Sequence, residues 1–500
     1  MMAASLLADL ALTYPVRREF GRTIVGNPEP GFPIERCIPD ILLAVFQAIV
    51  DDEAASYSTK SSWYNVNPRA TVSLALVCRH WKQLVYDAPS LWAVIKLDAR
   101  QYVNDSPPSF RIRLAKDAPV DLYLFHFPAL LEDAPYISRL LEVVPNLRRL
   151  HVELDPGQND ATTPLITLLL LNQAWRELRN VKEISYSAPS INHFRADLVD
   201  HLYGMPKLIH LWLNESRFTV PYCADKPLLP ALKRLFLQGS FIRNDNNAAL
   251  ITPTFLSHCP QLEDLDLTIL DPHITIRIEA AAVEAPTITL PRLRKIRTSG
   301  MAVLAPFINR QIITPALEDF ALFNWTDLYS TDMLAFFTDV APTLTSLFLS
   351  VTDSAHYQRA LTPLGQLNYL SILAGGQGTF LCPLYEPIST SLGTASMTTT
   401  TATTSTRLCL PCLRFFKLSV NRSVLAPEYF VPFVKARCIP IDEQRMTAAG
   451  CRALDNFCLV TIKPSEVLKY VRTTLEWQSA TIRQAGPCVF ELHWEFKQAE

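Results

Sequence analysis

The chain has 500 residues, 46 of them basic and 48 acidic, for a formal net charge of −2, a balance that excludes a general electrostatic pull toward nucleic acid or anionic membrane. At 49% hydrophobic and 19% charged residues it has the composition of a globular protein long enough for two or more cores. Glycine is scarce at 14 and proline abundant at 37, which argues against phosphate-cradling loops and for many short elements with punctuated joints.

Residues 1–32 are expected to form a loosely ordered leader ending in Asn27-Pro28-Glu29-Pro30-Gly31. They carry no basic n-region, and Asp9 interrupts the apolar stretch, so no secretory signal is expected. A helical domain follows over 33–98. Pro39 and Asp40 favour a helix N-terminus. From Ile41 to Val50 only Gln47 is not apolar, so this helix needs burial on all sides, more than a small module supplies by itself. A second helix is expected over Ala70–Tyr86, with Val77, Trp81 and Val85 on one face and Arg79, His80 and Lys82 on a solvated side. Pro89-Ser90-Leu91-Trp92 is a turn that delivers an aromatic anchor, and Asp117–Phe125 is a strand.

Three of these segments, Ile38-Pro39-Asp40-Ile41-Leu42, Val77-Cys78-Arg79-His80-Trp81 and Pro89-Ser90-Leu91-Trp92, together resemble the F-box. They are most similar to the F-box-like proteins of basidiomycete fungi that carry degenerate leucine-rich repeats, and Lys116–Leu122 resembles the segment those proteins place before the first repeat. The resemblance covers 33–125 well and the rest loosely, to about 460. It implies that the F-box binds the Skp-type adapter of a cullin ubiquitin ligase, while the repeats bind a target protein for ubiquitin-dependent degradation. Carried over residue by residue, the first-helix positions are Pro39, Ile41, Leu42, Val45 and Phe46. Val77, Cys78 and Trp81 match the later helix, and Leu91 and Trp92 the closing anchor. The chain departs from the family at Asp51–Arg69, which replaces a short connection with an insert rich in Ser, Asp and Tyr. The alternative is that Phe46, Trp81 and Trp92 are only the core of a helical cap on a non-ligase interaction scaffold.

From about residue 137 the chain repeats a short frame, Pro-x-Leu-x-x-Leu-x-Leu. Clear copies are Pro206/Leu208/Leu211/Leu213, Pro230/Leu232/Leu235/Leu237 and Pro260/Leu262/Leu265/Leu267. Substituted copies begin at Pro145, Pro291, Pro315, Pro342 and Pro411, with others ending at Ile184, Ile372 and Leu459. From Pro206 to Pro342 the intervals are 24, 30, 31, 24 and 27 residues, in and slightly above the leucine-rich-repeat range of about 20–29. Short helices are expected before several copies, at Ile137–Val144, Ala196–Tyr203, Thr254–His258 and Met333–Val340. One strand and one helix cannot bury their own apolar face, so the units must stack. The expected fold class is therefore α/β: a small all-α F-box-like module, then over 99–465 a leucine-rich-repeat-like solenoid with a curved parallel sheet and outer helices. The Ser/Thr-rich stretch 389–406 is expected to be a disordered insert, and 466–500 a helix (Glu466–Ser479) and strand (Val489–Phe496) that cap the solenoid.

The residue between the last two apolar positions of each strand should point away from the core, onto the concave face. This gives His151, Trp212, Phe236, Asp266, Arg297, Ala321, Phe348, Ser371 and Lys417. Trp212, Phe236, Asp266, Arg297 and Phe348 are the candidate target-binding residues, since Trp and Arg are enriched in interface hot spots; the equal alternative is that a neighbouring segment covers the aromatics.

No catalytic, cofactor or metal site is expected. Cys409-Leu410-Pro411-Cys412 has the spacing of a zinc half-site, but no second close pair occurs. Gly375-Gly376-Gln377-Gly378 lacks the Lys-Ser/Thr of a phosphate loop, and His193 and His201 lack matching ligands. Eleven scattered cysteines point to a reducing compartment, cytoplasm or nucleus, and no run reaches the roughly 20 apolar residues of a membrane span.

Overall fold

The structure is a computed structural model. It describes residues 38–57, 70–98, 108–127, 144–154, 178–187, 205–214, 217–218, 229–238, 241–242, 256–267, 287–299, 301–325, 330–351, 360–374, 410–420, 433, 454, 456–461, 481–486 and 489–495. The chain divides into two compact units, 1–211 and 212–500. The leader 1–32, the Ser/Thr-rich insert 389–406 and the helices expected at 196–203 and 466–479 lie outside the described residues.

The first unit opens with helix α1 (Pro39–Tyr57). Pro39 sits at its start, where a missing N–H costs nothing, and the Ile38 carbonyl accepts from the N–H groups of Ile41 and Leu42. Leu42, Phe46 and Val50, spaced by four, are buried, whereas Ile41 is 54% exposed. The module thus covers one stripe of this apolar helix and leaves Ile41 outside it, the shortfall expected of so small a module. The helix also runs past Val50 into the insert, and its Glu53 carboxylate accepts from the Ala70 backbone at 3.2 Å, tying its end to the start of α2.

The second helix is not continuous. It is α2 (Ala70–Ala75) followed by α3 (Arg79–Asp87). Cys78 is extended between them, and its Sγ accepts from the Trp81 N–H at 3.4 Å. The break turns Trp81 and Val85 inward, at 4% and 0% exposure, and leaves Val77 outside at 59%. Val77 was expected on the same buried face; a new N-cap at Cys78 resets the phase of the helix and removes it from that stripe.

After a 3-10 turn (Pro89–Trp92) comes β1 (Val94–Asp98), a strand within the span expected to be helical. Helix α4 (Pro108–Ala115) leads to β2 (Val120–Phe127), then β3 (Leu147–Leu154) and β4 (Glu183–Ser187). These strands pair in parallel, in the order β1-β2-β3-β4. Phe46 and Trp81 meet with ring centroids 4.5 Å apart. Trp92 contacts Tyr86 at 5.3 Å and Phe110 of α4 at 5.5 Å, and its indole N–H donates to the Val85 carbonyl at 2.8 Å.

Strand β5 (His210–Asn214) spans the division between the units. The second unit continues with β6 (Arg217–Phe218), β7 (Arg234–Gln238), β8 (Phe241–Ile242), β9 (Asp264–Leu267), β10 (Ile288–Thr289) and β11 (Lys295–Ser299). Helix α5 (Met301–Ile308), β12 (Ile312–Ile313), β13 (Asp319–Trp325) and helix α6 (Ser330–Val340) follow. Then come β14 (Ser346–Val351), β15 (Tyr369–Ala374), β16 (Phe415–Val420), β17 (Asn456–Thr461), β18 (Thr481–Gly486) and β19 (Val489–Glu495). The main sheet of this unit runs β7-β9-β11-β13-β14-β15-β16-β17-β19-β18, parallel through β17; β19 pairs antiparallel with both β17 and β18.

The fold is mixed α/β with a parallel, solenoid-like sheet of stacked coils, and the repeat frame is its cause. Leu235, Leu265, Ile296, Phe320, Leu347, Leu370, Phe416 and Phe457 are successive partners in one register ladder. Each is at most 2% exposed, and burying each such side chain contributes about 1.5–3 kcal/mol before entropy is counted. Phe336 and Phe337 of α6 close over Phe320 at 5.2 and 5.9 Å. At the start of each coil two successive N–H groups converge on one carbonyl of the coil before. Glu263 and Asp264 donate to Lys233, Arg294 and Lys295 to Glu263, Glu318 and Asp319 to Arg294, and Thr345 and Ser346 to Glu318. This staircase satisfies backbone donors that lie outside the strand ladder.

Candidate functional site

Two surfaces hold the residues singled out from the sequence. The first is on the helical module. Leu42, Phe46, Trp81, Leu91 and Trp92 are all buried, at 5, 0, 4, 1 and 1%, so they build the module rather than touch a partner. Val45 and Cys78 are half-buried and Pro39 is exposed. The exposed large apolar groups are Ile38 (61%), Ile41 (54%), Val72 (45%), Leu76 (79%) and Val77 (59%). They lie at the start of α1 and along α2 into the break. Sequence reasoning missed Val72 and Leu76; their spacing of four on a short helix was the available signal.

The second surface is the face of the sheet opposite the leucine ladder. In the first unit this face is closed. Lys96, Tyr123 and His151 are successive register partners, at 6, 5 and 7% exposure, with Phe125 at 1%. His151 was expected on an open concave face, and the structure corrects this. Its ring lies 5.4 Å from Phe125 and 5.9 Å from Tyr123, and burial pulls its pKa down to about 4. The Lys96 ammonium sits 4.9 Å from the Phe125 ring centroid, a cation–π contact strengthened by desolvation. Burial and the neighbouring Asp121 push the Tyr123 phenol up to about 12. Asp121, 1% exposed, accepts two bonds from the Arg148 guanidinium at 2.7 Å each. A ladder continues through Arg149 to Glu183 at 3.0 Å and His210 to Glu183 at 3.3 Å.

In the second unit the same face is open in part. Trp212 and Phe236 are half-buried, with centroids 5.5 Å apart. Phe236, Asp266, Arg297, Ala321, Phe348, Ser371, Lys417 and Cys458 are successive register partners. Of these Arg297 is exposed, Phe348 and Lys417 are half-buried, and Asp266 (2%), Ala321 (6%) and Ser371 (5%) are buried. Those three do not present themselves as first contacts, because short side chains sink between long neighbours. Phe348 pairs with Phe323 at 4.8 Å; Phe323, two residues beyond Ala321 on β13, was missed although alternation places it on this face. A second row runs beside the first: Arg234, Asp264, Lys295, Asp319 and Ser346. Burial pushes the Asp264 carboxyl up, against the opposing pull of Arg297, Lys295 and Arg234.

Among the described residues no group of three or more His, Cys, Asp or Glu is placed to hold a metal ion, and no helix is long and apolar enough to cross a membrane. Cys412 is a half-buried free thiol, and Cys409 lies outside the described residues. A scan against protein-family models matches none to this chain, and a search of curated proteins finds no relative.

Proposed function

We propose that this chain is a non-catalytic adapter, the substrate-recognition subunit of a Skp-cullin-F-box type ubiquitin ligase. The observation that carries the reading is the apolar surface of the helical module. Ile38, Ile41, Val72, Leu76 and Val77 stay in solvent beside a core already closed by Phe46, Trp81 and Trp92. Exposed apolar side chains at this density at the start of α1 and along α2 suit a partner protein. The residues that resemble the F-box divide in two: Leu42, Phe46, Trp81, Leu91 and Trp92 hold the module together, while Pro39, Ile41 and Val77 face outward. The aromatic row of the second unit supplies the target-binding face, and the work of the protein is to hold the two partners near one another.

The burial of all five anchors also favours the scaffold reading, in which the helices merely cap a solenoid, and one experiment separates the two. The full chain is used to capture the Skp-type adapter, alongside the Ile41→Asp and Leu76→Asp variants. Capture by the wild type with a loss of about tenfold or more in each variant is expected. A wild type that captures no adapter sinks the ligase reading.

A further inference from the structure

The register fixes the spacing of the two ring pairs in the second unit. Trp212 and Phe236 lie at one end; from Phe236 the row passes through Asp266, Arg297 and Ala321 to Phe348, which pairs with Phe323. That is four strand steps, or about 19 Å at ~4.8 Å per strand. Between the ring pairs the charges alternate in sign but not in reach. Arg234, Lys295 and Arg297 are exposed, whereas Asp264 and Asp319 are half-buried and Asp266 is 2% exposed. Asp319 is further occupied, accepting from the Ser346 hydroxyl at 3.1 Å. The carboxylates thus lie at the floor, with the cationic tips above them. A molecule approaching this face meets two guanidinium groups and an ammonium before any acid, with an aromatic pair on either side.

We infer that the occupant of this face is an acidic peptide segment with an apolar anchor at each end, the anchors about 19 Å apart and the carboxylates opposite Arg297, Lys295 and Arg234. In an extended peptide that separation takes about six residues. The inference rests on the adapter reading only in calling the occupant a ligase target; the face itself stands without it. Arg suits the role because its planar fork pairs with a carboxylate in two places. Asp266, the register partner of Arg297, is buried and does not compete at the surface.

The test is a selection of random displayed peptides, long enough to span both ring pairs, on the full-length chain, with adapter capture measured on the same preparation. Enrichment of Asp and Glu between two apolar positions is expected. The enriched peptides should weaken about tenfold on Trp212→Ala or Phe236→Ala and lose affinity as salt is raised. Arg297→Glu, an exposed change that leaves the core intact, should weaken the acidic peptides and their salt dependence, since of the three exposed cations between the ring pairs only Arg234 and Lys295 then remain. Enrichment of basic or uncharged peptides, binding that only phosphorylated peptides show, or no enrichment at all overturns the inference. Such a failure with adapter capture intact leaves the ligase reading standing, and peptide enrichment without capture does the reverse.

Discussion

Thr298 is the place where the repeat frame and the core disagree most plainly. The copy beginning at Pro291 puts threonine where its neighbours put leucine; Thr298 lies beside Leu267 and Leu322 in register. It is 0% exposed, and its hydroxyl has no hydrogen-bond partner among the described residues. A buried hydroxyl left unbonded costs about 1–3 kcal/mol, and replacing it with a methyl of the same shape removes that cost without opening a cavity. Valine also suits a strand at least as well as threonine. Thr298→Val should therefore stabilise the protein by about 1–2 kcal/mol. At about 2–4 °C per kcal/mol for a large domain, this is a rise of about 2–8 °C in Tm. Calorimetry of the two proteins under identical conditions checks it. An unchanged or lowered Tm would show that the hydroxyl is bonded in the folded protein, and the argument from an orphaned donor would fail.

Three further outcomes follow from the same kind of reasoning. His151 has a folded pKa of about 4 because burial disfavours its charge, against about 6.5 unfolded. The unfolded chain thus binds more protons between these values, so His151 contributes stability that is fully present above about pH 6.5 and is lost as pH falls toward 4. The loss is about 3 kcal/mol, and the pH dependence of urea unfolding should flatten over that window in His151→Phe. Cys78→Ser should raise stability by about 0.5–1 kcal/mol, because serine is the stronger helix cap at a position where Sγ already accepts from Trp81 N–H; a lower melting temperature would contradict it. Arg148→Met should cost about 1–3 kcal/mol, since it strips the bidentate partner from the buried Asp121 carboxylate but leaves Arg149 at 3.7 Å, and Arg148 itself is part-exposed. Adding Asp121→Asn to Arg148→Met should recover part of that loss in chemical denaturation.

The repeat frame determined the sheet. Its leucines are chemically alike and evenly spaced, so every copy has the same face to hide, and stacking is the way to hide it. The start of α1, the anchors Phe46, Trp81 and Trp92, and the strands on the frame were legible for this local reason. Two matters were not. Cys78 as a cap depends on which way Trp81 turns, and α2 and α3 break there because the core asks for Trp81 and Val85 but not Val77. The open face is a second case: alternation puts His151, Asp266 and Phe348 on the same side of their strands, yet His151 and Asp266 are buried and Phe348 is half-buried. Side-chain direction is a property of one strand and is written in its sequence; accessibility is set by what other parts of the chain place over that strand, and only tertiary packing decides it.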